Sequence, residues 1–119
     1  MYLIRPPRAY RWIYPEAVFR KNPEERTVYL TFDDGPNLNA TPVALDILMS
    51  YGVKATFFVL GSNPQLFPKL IQEIRNQGHQ VANHGMNHID GWTSTTGRFE
   101  QNLLDGKKEV GSSLFRPPY

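Results

Sequence analysis

Four short segments of the chain have the apolar pattern of β-strands. The first alternates apolar and polar residues, and the second is a nearly unbroken apolar run of the kind that a sheet covers on both faces. The fourth is halted by two consecutive prolines. The predicted strands are residues 28–34, 55–60, 79–84 and 114–116.

The segments between these strands predict three helices. Thr41 and Pro42 predict a cap followed by proline at the first helical position, and residues 61–64 repeat this signal. Gly52 and Gly78 end the first two helices, and the third is predicted over residues 98–110. The side chains predicted to face inward are Leu45, Leu48 and Met49 in the first helix, Leu66, Leu70, Ile71 and Ile74 in the second, and Phe99, Leu103 and Val110 in the third.

The alternation of strands and helices predicts an α/β domain over residues 27–119, built on a parallel sheet or an α/β barrel. Residues 1–26 are rich in proline, arginine and aromatic residues and predict an irregular arm with one short helical turn. We expect the aromatic rings of the arm to pack against the domain, because aromatic side chains dominate ordinary packing. A stacking surface for bases or sugars is the alternative.

The composition argues against some classes of binding partner. The chain has 119 residues, of which 40% are hydrophobic, and a net charge of +2 that is scattered along the sequence. This charge pattern argues against nucleic acid or an anionic membrane as a partner. The chain has no cysteine, and it shows no apolar run long enough for a signal peptide or a membrane span. A cytoplasmic location is the default expectation.

Three predicted strands end in polar side chains that suit a metal-dependent hydrolase. The carboxyl ends of parallel strands lie at one edge, so these side chains are expected to lie close together. Two histidines at spacing i, i+4 and one carboxylate can share a metal ion and leave coordination positions open, as in catalytic sites. The side chains are Asp33 and Asp34 after the first strand, His84 and His88 after the third, and Arg116 after the fourth.

The two adjacent aspartates are expected to have different roles. Asp33 and Asp34 cannot both point the same way from a strand, so one can bind the metal while the other acts as a general base. Arg116 could hold that base by a fork-shaped ion pair. His79 begins its strand at the opposite edge of the sheet, and we expect it to be structural.

Each of these features alone has an ordinary structural explanation. An Asp-Asp-Gly-Pro sequence is most often a solvated turn, a His-x-x-x-His pair lies more often at the surface than on a metal, and an Arg-Pro-Pro sequence ends a strand. The coincidence of all three at the predicted strand ends of one sheet favours a metal hydrolase.

Five motifs follow one another from about Thr27 to Tyr119: TFDDGP at 31–36, ATFFVLG at 55–61, GHQVANH at 78–84, HGMNH at 84–88 and RPPY at 116–119. In this order they resemble the motifs of the polysaccharide deacetylase family, also called the NodB-homology domain or carbohydrate esterase family 4. The resemblance covers nearly all of the chain outside the arm.

The resemblance implies the N-terminal part of a distorted, TIM-like (β/α) barrel, with about four parallel strands alternating with helices. It implies an enzyme that removes acetyl groups from N-acetylated or O-acetylated polysaccharide or oligosaccharide. Asp33 would be the general base, Arg116 would orient it, and the backbone N–H of Tyr119 would bind the oxyanion. A divalent metal, usually Zn²⁺ and otherwise Co²⁺ or another divalent ion, would be held by Asp34, His84 and His88.

The chain departs from the family pattern in three places. Gly85 stands where the family has Ser or Thr, and Ile89 stands where it has Pro. The chain stops at Tyr119, before the motifs that supply the general acid, which predicts a truncated form with little or no activity alone. An open sheet edge would then allow self-association. The alternatives are a non-catalytic metal- and carbohydrate-binding remnant and an amidohydrolase that acts on a non-sugar amide.

Overall fold

The structure is a computed structural model that describes residues 9–19 and 21–119. It contains a parallel sheet of three strands in the order β1-β2-β3, with helices between successive strands. No helix in these two ranges is long and apolar enough to cross a membrane. The elements are α1 (Tyr10–Ile13), a 3₁₀ turn (Pro23–Glu25), β1 (Thr31–Asp33), α2 (Ala40–Ser50), β2 (Thr56–Val59), α3 (Asn63–Leu66), α4 (Pro68–Asn76), β3 (Gln80–Asn83) and α5 (Thr96–Val110).

The hydrophobic core lies between the sheet and the long helices that connect its strands. Successive residues of a strand face opposite sides, so Phe57 and Val59 of β2 pack against the helices while Phe58 faces the other side. The core therefore depends on the two periodicities that the sequence displays, two in the strands and 3.6 in the helices. Its buried residues are Leu45, Leu48, Ala55, Phe57, Val59, Leu70, Ile71, Ile74, Val81 and Val110.

The beginning of α2 differs from the prediction. The helix starts at Ala40, so Thr41 lies inside it and does not cap it. The side-chain oxygen of Asn37 accepts hydrogen bonds from the backbone N–H groups of Asn39 and Ala40, at 2.9 and 3.0 Å, and thereby supplies the cap. Thr41 Oγ1 accepts a hydrogen bond of 2.8 Å from the N–H of Asn37, which closes the same turn from the other side.

Two side chains that were predicted to face inward, Met49 and Leu66, are exposed. The buried stripe of α2 runs through Leu45 and Leu48, and Met49 lies at its edge. The predicted second helix is broken at Phe67 into α3 and α4, so Leu66 is out of register with the buried positions of α4.

The predicted fourth strand is reduced to a single parallel bridge between Asn83 and Phe115. The N–H of Asn83 donates to the carbonyl of Leu114 at 2.9 Å, and the N–H of Arg116 donates to the carbonyl of Asn83 at 3.0 Å. The ladder cannot continue because Pro117 and the proline after it have no N–H group. The described residues therefore form three strands and one bridge, and the prediction of about four strands is corrected.

Where the structure describes it, the N-terminal arm departs from the predicted packing. Its residues 1–8 and 20 lie outside the described residues. Trp12 in α1 is 89% exposed, and Tyr14 is also exposed. The expectation that the rings of the arm pack against the domain is therefore wrong for these two residues.

His79 lies at the amino-terminal edge of the sheet, immediately before β3. Its ring is buried, and its Nδ1 accepts a hydrogen bond of 3.2 Å from the backbone N–H of Ala55. An atom that accepts from an N–H group cannot itself carry a proton. Burial lowers the pKa of His79, and the positive charge of Lys54 lowers it further, so the ring is held neutral. This placement agrees with the structural role predicted for His79.

We expect the free energy of unfolding to fall as the pH is lowered through and below 6.5, the usual pKa of histidine. The pKa of His79 is lower in the folded chain than in the unfolded chain, so the unfolded state binds the proton more tightly. The stability that depends on neutral His79 is therefore present above pH 6.5 and is lost on acidification. Urea unfolding at a series of pH values in chelator measures this effect. His79→Gln should show a shallower fall, and equal slopes in the two proteins would contradict the prediction.

Candidate metal centre

The turn after β1 directs two adjacent carboxylates to different places. Asp33 is the last residue of β1, and Asp34 has a backbone φ of 64°, in the left-handed region that non-glycine residues rarely adopt. The buried side-chain amide of Asn63 donates hydrogen bonds to the carbonyl oxygens of Asp34 and Gly35 and holds this turn. Strained backbone of this kind is common at functional sites.

The carboxylate of Asp34 lies between the two predicted metal-binding histidines. Its Oδ1 is 3.3 Å from Nε2 of His84 and 3.3 Å from Nε2 of His88. The ligand atoms of the three residues all lie within 4.8 Å of one another. The side chain of His84 is 4% exposed and that of Asp34 is 61% exposed, so the cluster is anchored on one side and open to solvent on the other.

The second nitrogen of His84 fixes the orientation of its ring. Nδ1 lies 2.8 Å from the carbonyl oxygen of Arg116. A carbonyl oxygen can only accept, so Nδ1 carries the proton and donates, and Nε2 is the nitrogen that faces Asp34 and is placed to bind a metal. Histidine ligands of metals are usually held by a partner in this way.

Two of the three separations between these atoms fit a divalent metal ion. Zinc binds histidine nitrogen and carboxylate oxygen at about 2.0–2.2 Å, which in a tetrahedral arrangement places neighbouring ligand atoms roughly 3.4 Å apart. The two distances of 3.3 Å from Asp34 Oδ1 to the imidazole nitrogens agree with that spacing. The donor set of Asp34, His84 and His88 therefore suits an ion with open coordination positions.

Asp33 does not belong to the cluster of ligand atoms and forms an ion pair with Arg116. One guanidinium nitrogen, Nη1, lies 2.8 Å from Oδ1 and 3.1 Å from Oδ2 of Asp33, and it also donates to Thr31 Oγ1 at 2.9 Å. The guanidinium carbon lies 4.2 Å from the ring centroid of Phe58. The expected fork-shaped pair is thus wrong in its geometry, since one nitrogen contacts both oxygens of Asp33 and also Thr31.

Tyr119 completes the group of predicted site residues. Its ring meets the ring of His88 edge-on, with 4.7 Å between the centroids. The structure therefore brings Asp33, Asp34, His84, His88, Arg116 and Tyr119 to one edge of the sheet.

One residue of the site was missed by the sequence analysis. Asn63 was assigned to a helix cap, but α3 begins at Asn63, and the residue at the cap position, Ser62, makes no side-chain cap hydrogen bond. The amide of Asn63 instead supports the turn of Asp34. A polar residue just beyond the carboxyl end of a buried strand was the available signal.

The family to which these motifs belong can be identified by comparison with known proteins. The sequence profile of the family described as polysaccharide deacetylase matches residues 20–119. A peptidoglycan-N-acetylglucosamine deacetylase of Bacillus cereus is 40% identical over 79% of this chain and 46% of its own length. A chitooligosaccharide deacetylase of Sinorhizobium fredii is 43% identical over 82% of this chain and 45% of its own length. The chain thus spans less than half the length of these relatives.

A comparison of structures agrees with the sequence match. A family 4 carbohydrate esterase from Streptomyces lividans in complex with acetate superposes with a TM-score of 0.71 at 31% identity, over 77% of this chain and 50% of that chain. The predicted fold class, part of a TIM-like barrel of alternating strands and helices, is confirmed. The chain belongs to the polysaccharide deacetylase family.

Proposed function

We propose that this chain carries the metal-binding half of a deacetylase that hydrolyses acetamide groups of N-acetylated sugars. The observation that carries the proposal is the convergence of Asp34, His84 and His88 within 4.8 Å, beside the pair formed by Asp33 and Arg116. The names of the relatives favour N-acetylglucosamine units as the substrate class. Because the chain spans less than half of those relatives, the activity and substrate of the whole protein are part of this proposal.

The metal ligands in this proposal are Asp34, His84 and His88. One carboxylate and two imidazoles favour Zn²⁺, and Co²⁺ accepts similar ligands. When bound, such an ion supplies an acidified water molecule and polarises the carbonyl of the acetamide. The 61% exposure of the Asp34 side chain leaves room for a substrate at the open side of the cluster.

Three residues that do not bind the metal would act on the substrate or on each other. The carboxylate of Asp33 would accept the proton of the attacking water as general base. Arg116 would keep Asp33 oriented through the contacts of 2.8 and 3.1 Å. The backbone N–H of Tyr119 would donate to the developing oxyanion. The water would add to the carbonyl carbon, the C–N bond would break as the amine nitrogen takes up the proton released by the water, and acetate and a sugar amine would be formed.

Acetate release from an N-acetylated chito-oligosaccharide tests this function. The chain is first freed of metal with a chelator, and we expect slow acetate release to appear on addition of zinc and to disappear again with excess chelator. An O-acetylated oligosaccharide, assayed in parallel, distinguishes amide from ester hydrolysis. Zinc and sugar binding without acetate release would indicate a non-catalytic binding module. Absence of zinc binding by the folded chain would refute the proposed metal site.

A further inference from the structure

Helix α5 contacts the segment that carries both histidines through one buried side chain, Asn102. We call residues 84–88 the histidine loop. Asn102 is 8% exposed, its Oδ1 accepts a hydrogen bond of 2.9 Å from the N–H of Asn87, and its Nδ2 donates one of 3.0 Å to the carbonyl of the same residue. The backbone carbonyl of Asn102 accepts from the N–H of Met86 at 2.8 Å. Three hydrogen bonds thus fix the two residues before His88.

A second buried asparagine fixes the other end of the histidine loop. Oδ1 of Asn83 accepts a hydrogen bond of 2.8 Å from the N–H of Gly85, and its Nδ2 donates one of 3.0 Å to the carbonyl of Leu103 in α5. The residue after His84 is therefore tied to the same helix as the residue before His88. Buried amides with both donor and acceptor satisfied restrict the backbone that they contact.

Two glycines allow α5 to approach the histidine loop this closely. Gly85 has a φ of +87°, and a Cβ added there would lie 2.5 Å from Nδ2 of Asn102. A Cβ on Gly106 would overlap Oδ1 of Asn83 and the backbone of Gly85. Gly85 departs from the Ser or Thr of the family motif, and the structure gives the physical reason, since any side chain there would displace the amide of Asn102.

We propose that Asn102 is a positioning residue that holds His88 in place relative to His84 and Asp34, so that the metal site is formed before metal arrives. Asn102 acts through the backbone of Asn87, and it neither binds the metal nor contacts the substrate. The proposal rests on the proposed metal site. Removal of partners that orient metal ligands typically weakens metal binding by about 10–100-fold. We expect an effect of that size from the loss of the Asn102 side chain.

The test compares zinc dissociation constants of the wild-type chain, Asn102→Ala and Asn102→Asp by competition with a chelator. Asn102→Ala removes both hydrogen bonds to Asn87. Asn102→Asp keeps the acceptor but places a second oxygen against the carbonyl of Asn87, so we expect a similar loss of affinity. The matched control is Gln101→Ala, which removes an amide from the neighbouring, exposed position of α5 and should leave the dissociation constant unchanged.

Two further measurements separate positioning from general stability. Urea unfolding of the metal-free variants reports stability alone. If Asn102 were merely structural, its substitution would lower the free energy of unfolding without changing the zinc affinity of the folded chain. Hydrogen exchange of the Asn87 amide in the metal-free wild-type chain should be slow, because its partner is the buried Oδ1 of Asn102. This measurement applies even if Asn102→Ala does not fold.

The outcomes distinguish this proposal from the proposed function. An unchanged zinc affinity in folded Asn102→Ala or Asn102→Asp, or an unprotected Asn87 amide, would refute the positioning role and leave the metal site intact. A folded wild-type chain that does not bind zinc would refute the metal site and the positioning role together.

Discussion

Replacement of Asp34 by alanine is expected to weaken zinc binding by more than about 100-fold, beyond the loss typical of residues that only orient a ligand. The Oδ1 atom of Asp34 is the one donor that lies 3.3 Å from both imidazole nitrogens, so its removal opens the centre of the cluster. The double variant His84→Ala/His88→Ala removes the two neutral donors and should abolish binding. Isothermal titration of the metal-free chains with zinc measures both losses.

The matched control for this result is Asp46→Ala, which removes an exposed carboxylate from α2. It should bind zinc as the wild-type chain does, because it lies outside the cluster. The positive φ of Asp34 gives a second comparison, since Asp34→Asn tolerates the same backbone and differs only in the charge of the donor. Wild-type affinity in Asp34→Ala would contradict the assignment of Asp34 as a ligand.

Replacement of Asp33 by asparagine is expected to lower the rate of acetate release by about 10²–10⁴-fold, the usual contribution of a general base. The substitution preserves the size of the side chain and one oxygen facing Arg116, so the ion pair becomes a hydrogen bond and the local structure is kept. The zinc dissociation constant should change little, because Asp33 forms an ion pair with Arg116 and does not belong to the cluster of ligand atoms. Initial rates at saturating oligosaccharide, with zinc present, provide the measurement.

The combination of a lost rate and an unchanged metal affinity is what identifies Asp33 as the base. A parallel loss of zinc affinity would instead indicate that Asp33 supports the structure of the site. Asp46→Asn makes the same chemical change at an exposed position and should retain the wild-type rate. A rate in Asp33→Asn within a few-fold of the wild type would rule out general-base catalysis by this residue.

Much of the fold was predictable from local patterns. The apolar run before Gly61 predicted β2, and the spacing of Leu70, Ile71 and Ile74 predicted the buried face of α4. These predictions succeed because burial of apolar surface against a sheet imposes periods of two and 3.6 on the sequence. The errors fell at element ends, as at Thr41, where the side chain of Asn37 and not that of Thr41 accepts from the first N–H groups of the helix.

The extent of the last strand depended on longer-range contacts. Leu114 to Arg116 has the sequence of a strand, but it forms only one bridge to Asn83. Strand pairing requires a partner at the right register, and a sequence pattern describes only one of the two strands. The broken helix at Phe67 has a local cause instead, because Pro68 disfavours helical backbone at the residue before it.

The sequence by itself determined which residue types reach the edge of the sheet. Polar residues lie at the carboxyl ends of β1 and β3 and just before Pro117. Parallel strands bring their carboxyl ends together at one edge of the sheet, independently of the conformation of the connecting loops. For this reason five of the six predicted site residues could be named from strand ends alone, whereas Tyr119 was implied by the resemblance to the family.

Only the tertiary structure decided how these side chains are held. The left-handed turn of Asp34 depends on Asn63, the ring of His84 depends on the carbonyl of Arg116, and the histidine loop depends on Asn102. In each pair the partners lie between 15 and 32 positions apart in the chain. Hydrogen bonds between residues so distant produce no repeating pattern in the sequence. Each bond needs one polar group at one position, and it does not restrict the residue types at the neighbouring positions.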